Sequence, residues 1–245
     1  MSGGTHLWTI HLVATMGQVR DFYRSLSPDE QQRAAAFRFE RDKTFFVIGR
    51  GLLRSLLGWY VSCAPEHIRF KYGTKGKPAL AYSKSKVHFN LAYSAGRVLY
   101  AVSEDCELGV DLELVRPLSD IASIAKHFFS PTEYQDLFSV PGDKRTEAFF
   151  NCWTRKEAYV KATGYGLSVP LNRSEVSLSP REPTGFLKIE GETVSKWGLF
   201  HLEPAAGYVG ALAKRSVRGA LSMQGFDTAE ELLAYLKMNP AAHST

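Results

Sequence analysis

Residues 7–14 (Leu-Trp-Thr-Ile-His-Leu-Val-Ala) alternate apolar and polar positions and predict an opening strand. Ser27-Pro28-Asp29-Glu30 reads as a helix start, with Ser27 as N-cap, proline at the first helical position and Glu30 at the third. From 44 to 62 the residues Phe46, Ile48, Leu52, Leu53, Leu56 and Leu57 form an apolar helix face, which ends before Pro65. The stretch 66–86 predicts a short strand and a Gly/Lys-rich loop. Strands follow at 87–92, 97–103 and 108–114. In the last of these, Leu108, Val110, Leu112 and Leu114 turn inward, so Asp111 and Glu113 share the opposite face.

Beyond Pro117 the pattern changes to helices at 119–127, 131–138 and 144–163, with the loop 139–143 between the last two. Strands return at 174–178, 185–189, 196–202 and 207–213. Thr228 caps a final helix over 229–237, whose Leu232, Leu233 and Leu236 suit packing on the body or on a partner. No short-period repeat is visible. Both parts run from helices into antiparallel strands, and the proline marks the expected division into domains 1–115 and 116–245.

Three segments carry candidate chemistry. In Trp153-Thr154-Arg155-Lys156-Glu157-Ala158-Tyr159-Val160-Lys161, a helix closed by Gly164 and Gly166, Glu157 and Lys161 stand four apart and point to one face. Read alone, this is an exposed ion pair worth about 0.3–0.5 kcal/mol. On the strand 108–114, Asp111 and Glu113 lie roughly 7 Å apart, close enough to reach one divalent cation. Hard oxygen ligands of this kind suit magnesium; read alone, the strand is equally an edge strand with a polar outer face. The third segment, Asn90-Leu91-Ala92-Tyr93-Ser94-Ala95-Gly96, is either a plain hairpin turn or a turn whose hydroxyls and N–H groups receive a phosphate.

In this order the segments resemble the 4′-phosphopantetheinyl transferases of the surfactin-synthetase-activating type. That family carries an Asn-Leu/Ile-Ser-His-Ser-Gly turn, then Gly-Ile/Val-Asp-x-Glu, then Trp-x-x-Lys-Glu-Ala-x-x-Lys. Smaller matches are Arg38-Phe39, Gly76-Lys77-Pro78, Phe128-Phe129-Ser130-Pro131-Thr132-Glu133-Tyr134 and Gly166-Leu167-Ser168-Val169-Pro170-Leu171. The resemblance spans roughly residues 20–215. It implies an α+β fold of two similar α/β halves forming a pseudo-dimer with antiparallel sheets.

It also implies a reaction. The 4′-phosphopantetheine arm of coenzyme A passes to a serine of an apo acyl, peptidyl or polyketide carrier protein, and 3′,5′-ADP leaves. By the same resemblance Asp111, Glu113 and Glu157 hold Mg2+, and Glu157 accepts the serine proton. Lys156 and Lys161 stand at the phosphates, with Lys161 neutralising the leaving group. Lys77 meets the 3′-phosphate or pyrophosphate, and Ser94 and Arg50 also belong to the coenzyme A site. Arg54 is expected to be an exposed helix residue and Trp153 to pack in the core. Two departures stand out. Ala92-Tyr93 replaces the family's Ser-His, so a phenol stands where a histidine touches the 3′-phosphate. The basic run before Arg50 keeps only Arg41 and Lys43.

Charge and composition narrow the picture. A formal charge of +5 and a pI near 9.0 suit a polyanionic ligand or an acidic partner. A nucleic-acid-binding surface would cluster lysines with aromatics; here they cluster with carboxylates, so no nucleic acid is expected. Cys63, Cys106 and Cys152 lack metal-site spacing and read as free thiols of a cytoplasmic protein. No stretch reaches the roughly 18 apolar residues of a membrane span, and the start lacks a charged segment followed by a long apolar run. One chain supplying both halves predicts a monomer. The rival to an active enzyme is a non-catalytic coenzyme A-binding homologue; the full set of carboxylates and motif lysines favours the enzyme.

Overall fold

The computed structural model describes residues 4–82, 86–164, 166, 170–178 and 183–240. Within them one series of elements is laid down twice. The first copy is β1 (Gly4–His11), α1 (Met16–Ser25), α2 (Pro28–Ala35), α3 (Glu40–Val61), the small hairpin β2 (Phe70–Tyr72) and β3 (Pro78–Leu80), then β4 (His88–Ser94) and β5 (Arg97–Ser103). The second is β6 (Leu108–Leu114), α4 (Ile121–Phe128), α5 (Pro131–Ser139), α6 (Gly142–Thr163), the small hairpin β7 (Ser174–Val176) and β8 (Phe186–Ile189), then β9 (Gly198–Leu202) and β10 (Tyr208–Lys214). Their sheets have matching order, β1-β5-β4 and β6-β10-β9. The fold is α+β, as the patterning predicts.

The tail departs from expectation. A strand at 220–226 was not foreseen: β11 (Ala220–Phe226) pairs with β1 in parallel, against the expectation of antiparallel pairing throughout. After it, α7 (Ala229–Met238) buries Ala229, Leu232 and Leu236 in the core of the first half. Residues 220–238 therefore belong in space to the first half, and a boundary at 115 misassigns them. The cause is burial: Trp8, Trp59 and Tyr60 of the first half need an apolar cover, and Phe226, Leu233 and Tyr235 supply it. Helix α1 was also unforeseen; Thr15 caps it reciprocally with Gln18.

The two sheets meet at β4 and β6. Leu7, Leu99 and Ala101 pack there against Val110, Leu112 and Leu212 in one buried cluster. No backbone ladder joins the two strands. Instead Asn90 Oδ1 accepts the Val110 N–H (2.9 Å) and Ser94 Oγ accepts the Leu114 N–H (3.1 Å). The strands thus run side by side in parallel, joined by side chains, and the candidate carboxylates lie on this seam. Among the described residues no helix is long and apolar enough to cross a membrane, and all three cysteines are free.

Candidate active site

The strand β6 is buried on both faces. Its Leu108, Val110 and Leu112 face the first half, and the Asp111 side is covered by α6. The two elements touch at Gly109, where a Cβ would lie 2.3 Å from the Ala158 carbonyl oxygen and 2.2 Å from the Ala162 nitrogen. Only glycine permits that approach, and the approach brings Asp111 to the helix. Lys161 Nζ donates to Asp111 Oδ1 at 2.6 Å, across fifty residues of sequence. The strand is therefore no solvated edge, and Lys161 pairs with Asp111 rather than forming an i,i+4 pair with Glu157.

The three carboxylates act on one another. Burial pushes the Asp111 carboxyl above its ordinary range, with Lys161 opposing. Burial and the Asp111 charge do the same to Glu113 and to Glu157, the latter also feeling Glu113. Ser94 Oγ donates to Glu113 Oε2 at 3.0 Å. The described residues contain no three acidic, His or Cys groups already in ligating geometry. Yet Asp111 Oδ2 is buried without a hydrogen-bond partner, and an orphaned buried carboxylate oxygen is costly. Glu113 and Glu157 are only half-buried and have room to turn. The donor set, hard oxygens with one oxygen unsatisfied, fits a small divalent cation.

Lys77 enters from the first half. Its Nζ donates to Leu108 O (2.9 Å) and Ala162 O (2.8 Å), and burial pushes it down to about 8. Its side chain runs between two cavities. One, about 210 Å³, is lined by Lys75, Gly76, Asn90, Glu157, Lys161 and others; the second, about 400 Å³, by Tyr72, Thr74, His88, Glu107, Thr163 and others.

Tyr93 lies over α3. A Cβ on Gly49 would stand 2.5 Å from its ring and 2.6 Å from its hydroxyl. It is 43% exposed and within electrostatic reach of Arg50. Arg50 donates to Glu30 Oε1 (2.5 Å) and to the Tyr72 hydroxyl (2.7 Å). Arg54, expected to be exposed, is 1% exposed; it donates to Glu30 Oε2 (2.7 Å), Pro65 O and Ile68 O. Two guanidinium groups on one carboxylate leave a net positive charge beneath the Tyr72 and Tyr93 hydroxyls. Trp153 packs on Phe128 and Phe149, as expected.

Lys156 requires a correction. Expected at the phosphates, it is fully buried and its ammonium is filled: Glu133 Oε1 (2.8 Å), Glu133 Oε2 (2.6 Å) and Ser174 O accept from it. The reason is helical phase. Residue 156 faces α5, while 157 and 161 face β6. Glu133 escaped the sequence reading as a partner, although Ser130-Pro131-Thr132-Glu133 repeats the capping box Ser27-Pro28-Asp29-Glu30. That repetition was its signal. Asn90, which ties the seam together, was read only as part of a turn. Of the motif 166–171, residues 167–169 lie outside the described residues.

Two family models match the chain: "4′-phosphopantetheinyl transferase, N-terminal" over residues 13–105 and "4′-phosphopantetheinyl transferase superfamily" over 107–213. They abut between β5 and β6 and stop before β11. The chain is similar to the 4′-phosphopantetheinyl transferase HetI of a Nostoc species, at 40% identity over 87% of this chain and 88% of that protein. It is also similar to the transferase Sfp of Bacillus subtilis, at 33% over 64% of this chain and 68% of that one. A solved holo-(acyl-carrier-protein) synthase from Bacillus anthracis matches 44% of this chain and 93% of its own at 22% identity and a TM-score of 0.37, too slight a likeness to argue from.

Proposed function

The chain belongs to the 4′-phosphopantetheinyl transferase family, and on that premise we propose that its seam site moves the arm from coenzyme A to a carrier-protein serine with magnesium bound. As a member of the family the protein is a transferase that converts apo carrier to holo carrier. The serine Oγ forms a bond to the phosphorus bearing the pantetheine. The bond from that phosphorus to the bridging oxygen breaks, and 3′,5′-ADP leaves with the oxygen and the electron pair.

The observation that carries the residue assignment is the mutually repelling trio Asp111, Glu113 and Glu157, with one buried oxygen unsatisfied. Asp111, Glu113 and Glu157 would hold a magnesium ion, which would supply positive charge to the pyrophosphate. Glu157 accepts the proton of the serine hydroxyl. Lys161 lies 31% exposed on the site side of α6 and stabilises the charge developing on the leaving oxygen. On the first half, Tyr93 and the net charge of the Arg50–Glu30–Arg54 group receive the 3′-phosphate. Ser94 acts through Glu113, which it orients. Both walls of the cleft come from one chain, so the working unit is a monomer, and gel filtration at assay concentration should return one chain's mass.

Intact-mass measurement of apo fatty-acid, polyketide and peptidyl carriers, incubated with coenzyme A and magnesium, tests the reading. One carrier should gain the mass of a phosphopantetheine group, and chelation of the metal should stop it. Transfer that persists under full chelation would remove the metal from the proposal.

A further inference from the structure

Among the described lysines of the first half, Lys77 is the one whose side chain crosses the seam to the backbone of both elements that carry the carboxylates. Leu108 O lies three residues before Asp111 on β6; Ala162 O lies one residue after Lys161 and five after Glu157 on α6. The Ala162 carbonyl belongs to the last turn of α6, where no intrahelical donor remains and a cation is favoured. Gly164, the left-handed cap of α6 at φ 71°, leaves space for the stem: a Cβ there would stand 3.3 Å from Lys77 Cδ. The two carbonyls, the contact at Gly109 and the stem against Gly164 fix where α6 ends relative to β6.

We propose that Lys77 is a positioning residue: its ammonium straps the end of α6 to the start of β6 and so sets the spacing between Asp111 and Glu157, instead of binding a phosphate of coenzyme A. Two of its three N–H bonds are committed to buried backbone carbonyls. Releasing them to reach a phosphate would strand both acceptors, a loss the new contact would first have to offset. A rigid first layer around a cation depends on supports of this kind, and removing such a support commonly weakens metal affinity 10- to 100-fold.

This inference rests on the transferase reading, and the test separates the two. Wild-type and Lys77→Met proteins are compared by direct titration with Mn2+, by direct titration with coenzyme A, and in steady-state transfer with coenzyme A and with 3′-dephospho-coenzyme A. Lys77→Met should bind Mn2+ about tenfold or more weakly, while its affinity for coenzyme A stays within twofold. In transfer, kcat should fall by the same factor for both substrates with KM nearly unchanged. A Lys77→Met protein that binds Mn2+ normally but loses tenfold in affinity for coenzyme A, and not for 3′-dephospho-coenzyme A, overturns the proposal and makes Lys77 a phosphate ligand. Normal values throughout overturn it as well.

If Lys77→Met does not fold, Lys77→Arg decides, because it keeps the charge but cannot seat the larger guanidinium between the two carbonyls. Positioning predicts weakened Mn2+ binding with coenzyme A binding kept; a phosphate ligand predicts near-normal Mn2+ binding. Failure of the transferase reading would appear instead as a wild-type protein that modifies no carrier, with the Mn2+ comparison still readable.

Discussion

The long helices and the central strands of the two halves correspond position by position, and the correspondence sets an acidic cluster against an aromatic one. Trp8 and Asp111 each face the fourth residue of the partner strand, Tyr100 of β5 and Ala211 of β10. The helices α3 and α6 are both 22 residues long. Counted from their starts, Arg54 matches Lys156, Ser55 matches Glu157 and Trp59 matches Lys161. Asp111 touches Lys161; at the matching place Trp8 packs edge-on against Trp59, 6.0 Å between centroids. At the matching place the first half is core, and the tail seals it: Phe226 stacks on Trp8, Tyr235 meets Trp8 edge-on, and Trp59 Nε1 donates to Asn239 O. The same scaffold thus holds a charged, partly open cleft in one half and a sealed aromatic core at the matching place in the other.

The halves agree in a second feature. In each, a Ser-Pro-x-Glu capping box buries its glutamate against a cation on the fifteenth residue of the long helix: Glu30 with Arg54, Glu133 with Lys156. A lock kept by the half that lacks the acidic trio belongs to the fold rather than to phosphate binding. Its removal should give the largest effect on stability. Glu133→Leu leaves Lys156 buried without its carboxylate and should cost about 3–5 kcal/mol in denaturant unfolding, whereas Glu133→Leu with Lys156→Met should recover only part of it, because the Ser130 and Val176 N–H groups and the Ser174 carbonyl still lack their partners. The double variant should also transfer the arm with a near-normal KM for coenzyme A. A stable double variant with a strongly raised KM would return Lys156 to the phosphates and break the parallel between the halves.

Next comes the contrast itself. Asp111→Ala and Glu157→Ala should each lower transfer on the order of 100-fold or more, about 2.7 kcal/mol, with little loss of stability. Trp8→Ala should do the opposite, costing roughly 3–5 kcal/mol of stability while leaving the turnover of folded molecules intact. An Asp111→Ala protein that stays folded and keeps its turnover removes Asp111 from the site.

Much of this was legible in the sequence, for identifiable reasons. Period-two alternation found β6, and the helical spacing of Phe46, Ile48, Leu52 and Leu56 found α3, because these patterns report burial directly. The resemblance singles out Asp111, Glu113, Glu157 and Lys161, and the fold brings Asp111 against Lys161 and within electrostatic reach of both glutamates. What escaped depends on contacts distant in sequence. Strand β11 (Ala-Leu-Ser-Met-Gln-Gly-Phe) has a weak pattern, since its edge position leaves most of it exposed and its partner is the far end of the chain. Lys156 reads as a phosphate ligand in the sequence because sequence names a charge but not the buried acceptors around it. Arg54 was taken as exposed because one buried glutamate, twenty-four residues away, changes that expectation.

Tyr93 sharpens the comparison on the substrate side. Its ring is seated by Gly49, so Tyr93→Phe removes only the hydroxyl. If that hydroxyl meets the 3′-phosphate, KM for coenzyme A should rise about 10- to 100-fold, matching the roughly 1.5–3 kcal/mol of a hydrogen bond to a charged group. KM for 3′-dephospho-coenzyme A should stay put. Equal changes for the two substrates would assign Tyr93 to packing alone.

The smallest expected effect is a fall in stability with rising pH that the acidic trio of the second half contributes. Asp111, Glu113 and Glu157 all hold their protons more tightly in the folded protein than ordinary carboxylates do: burial raises all three, and the Asp111 charge adds to it at Glu113 and Glu157. The folded state therefore binds more protons than the unfolded state between the ordinary carboxylate value, about 4, and the raised values. Stability contributed by this trio is thus present at low pH and falls as pH rises through that window; above it the penalty is constant. A divalent cation prefers the ionised trio and should oppose the fall, so the gain in melting temperature on adding Mg2+ should grow with pH over the same window. Asp111→Asn should flatten both trends and raise the melting temperature at neutral pH without metal. The matching positions of the first half, Trp8, Ile10 and Ser55, carry no charge at these pH values and contribute no slope. Melting curves from pH 4 to pH 8, with chelator and with Mg2+, measure this directly. A wild-type slope that Mg2+ leaves unchanged and that Asp111→Asn retains would separate the acidity of the trio from metal binding.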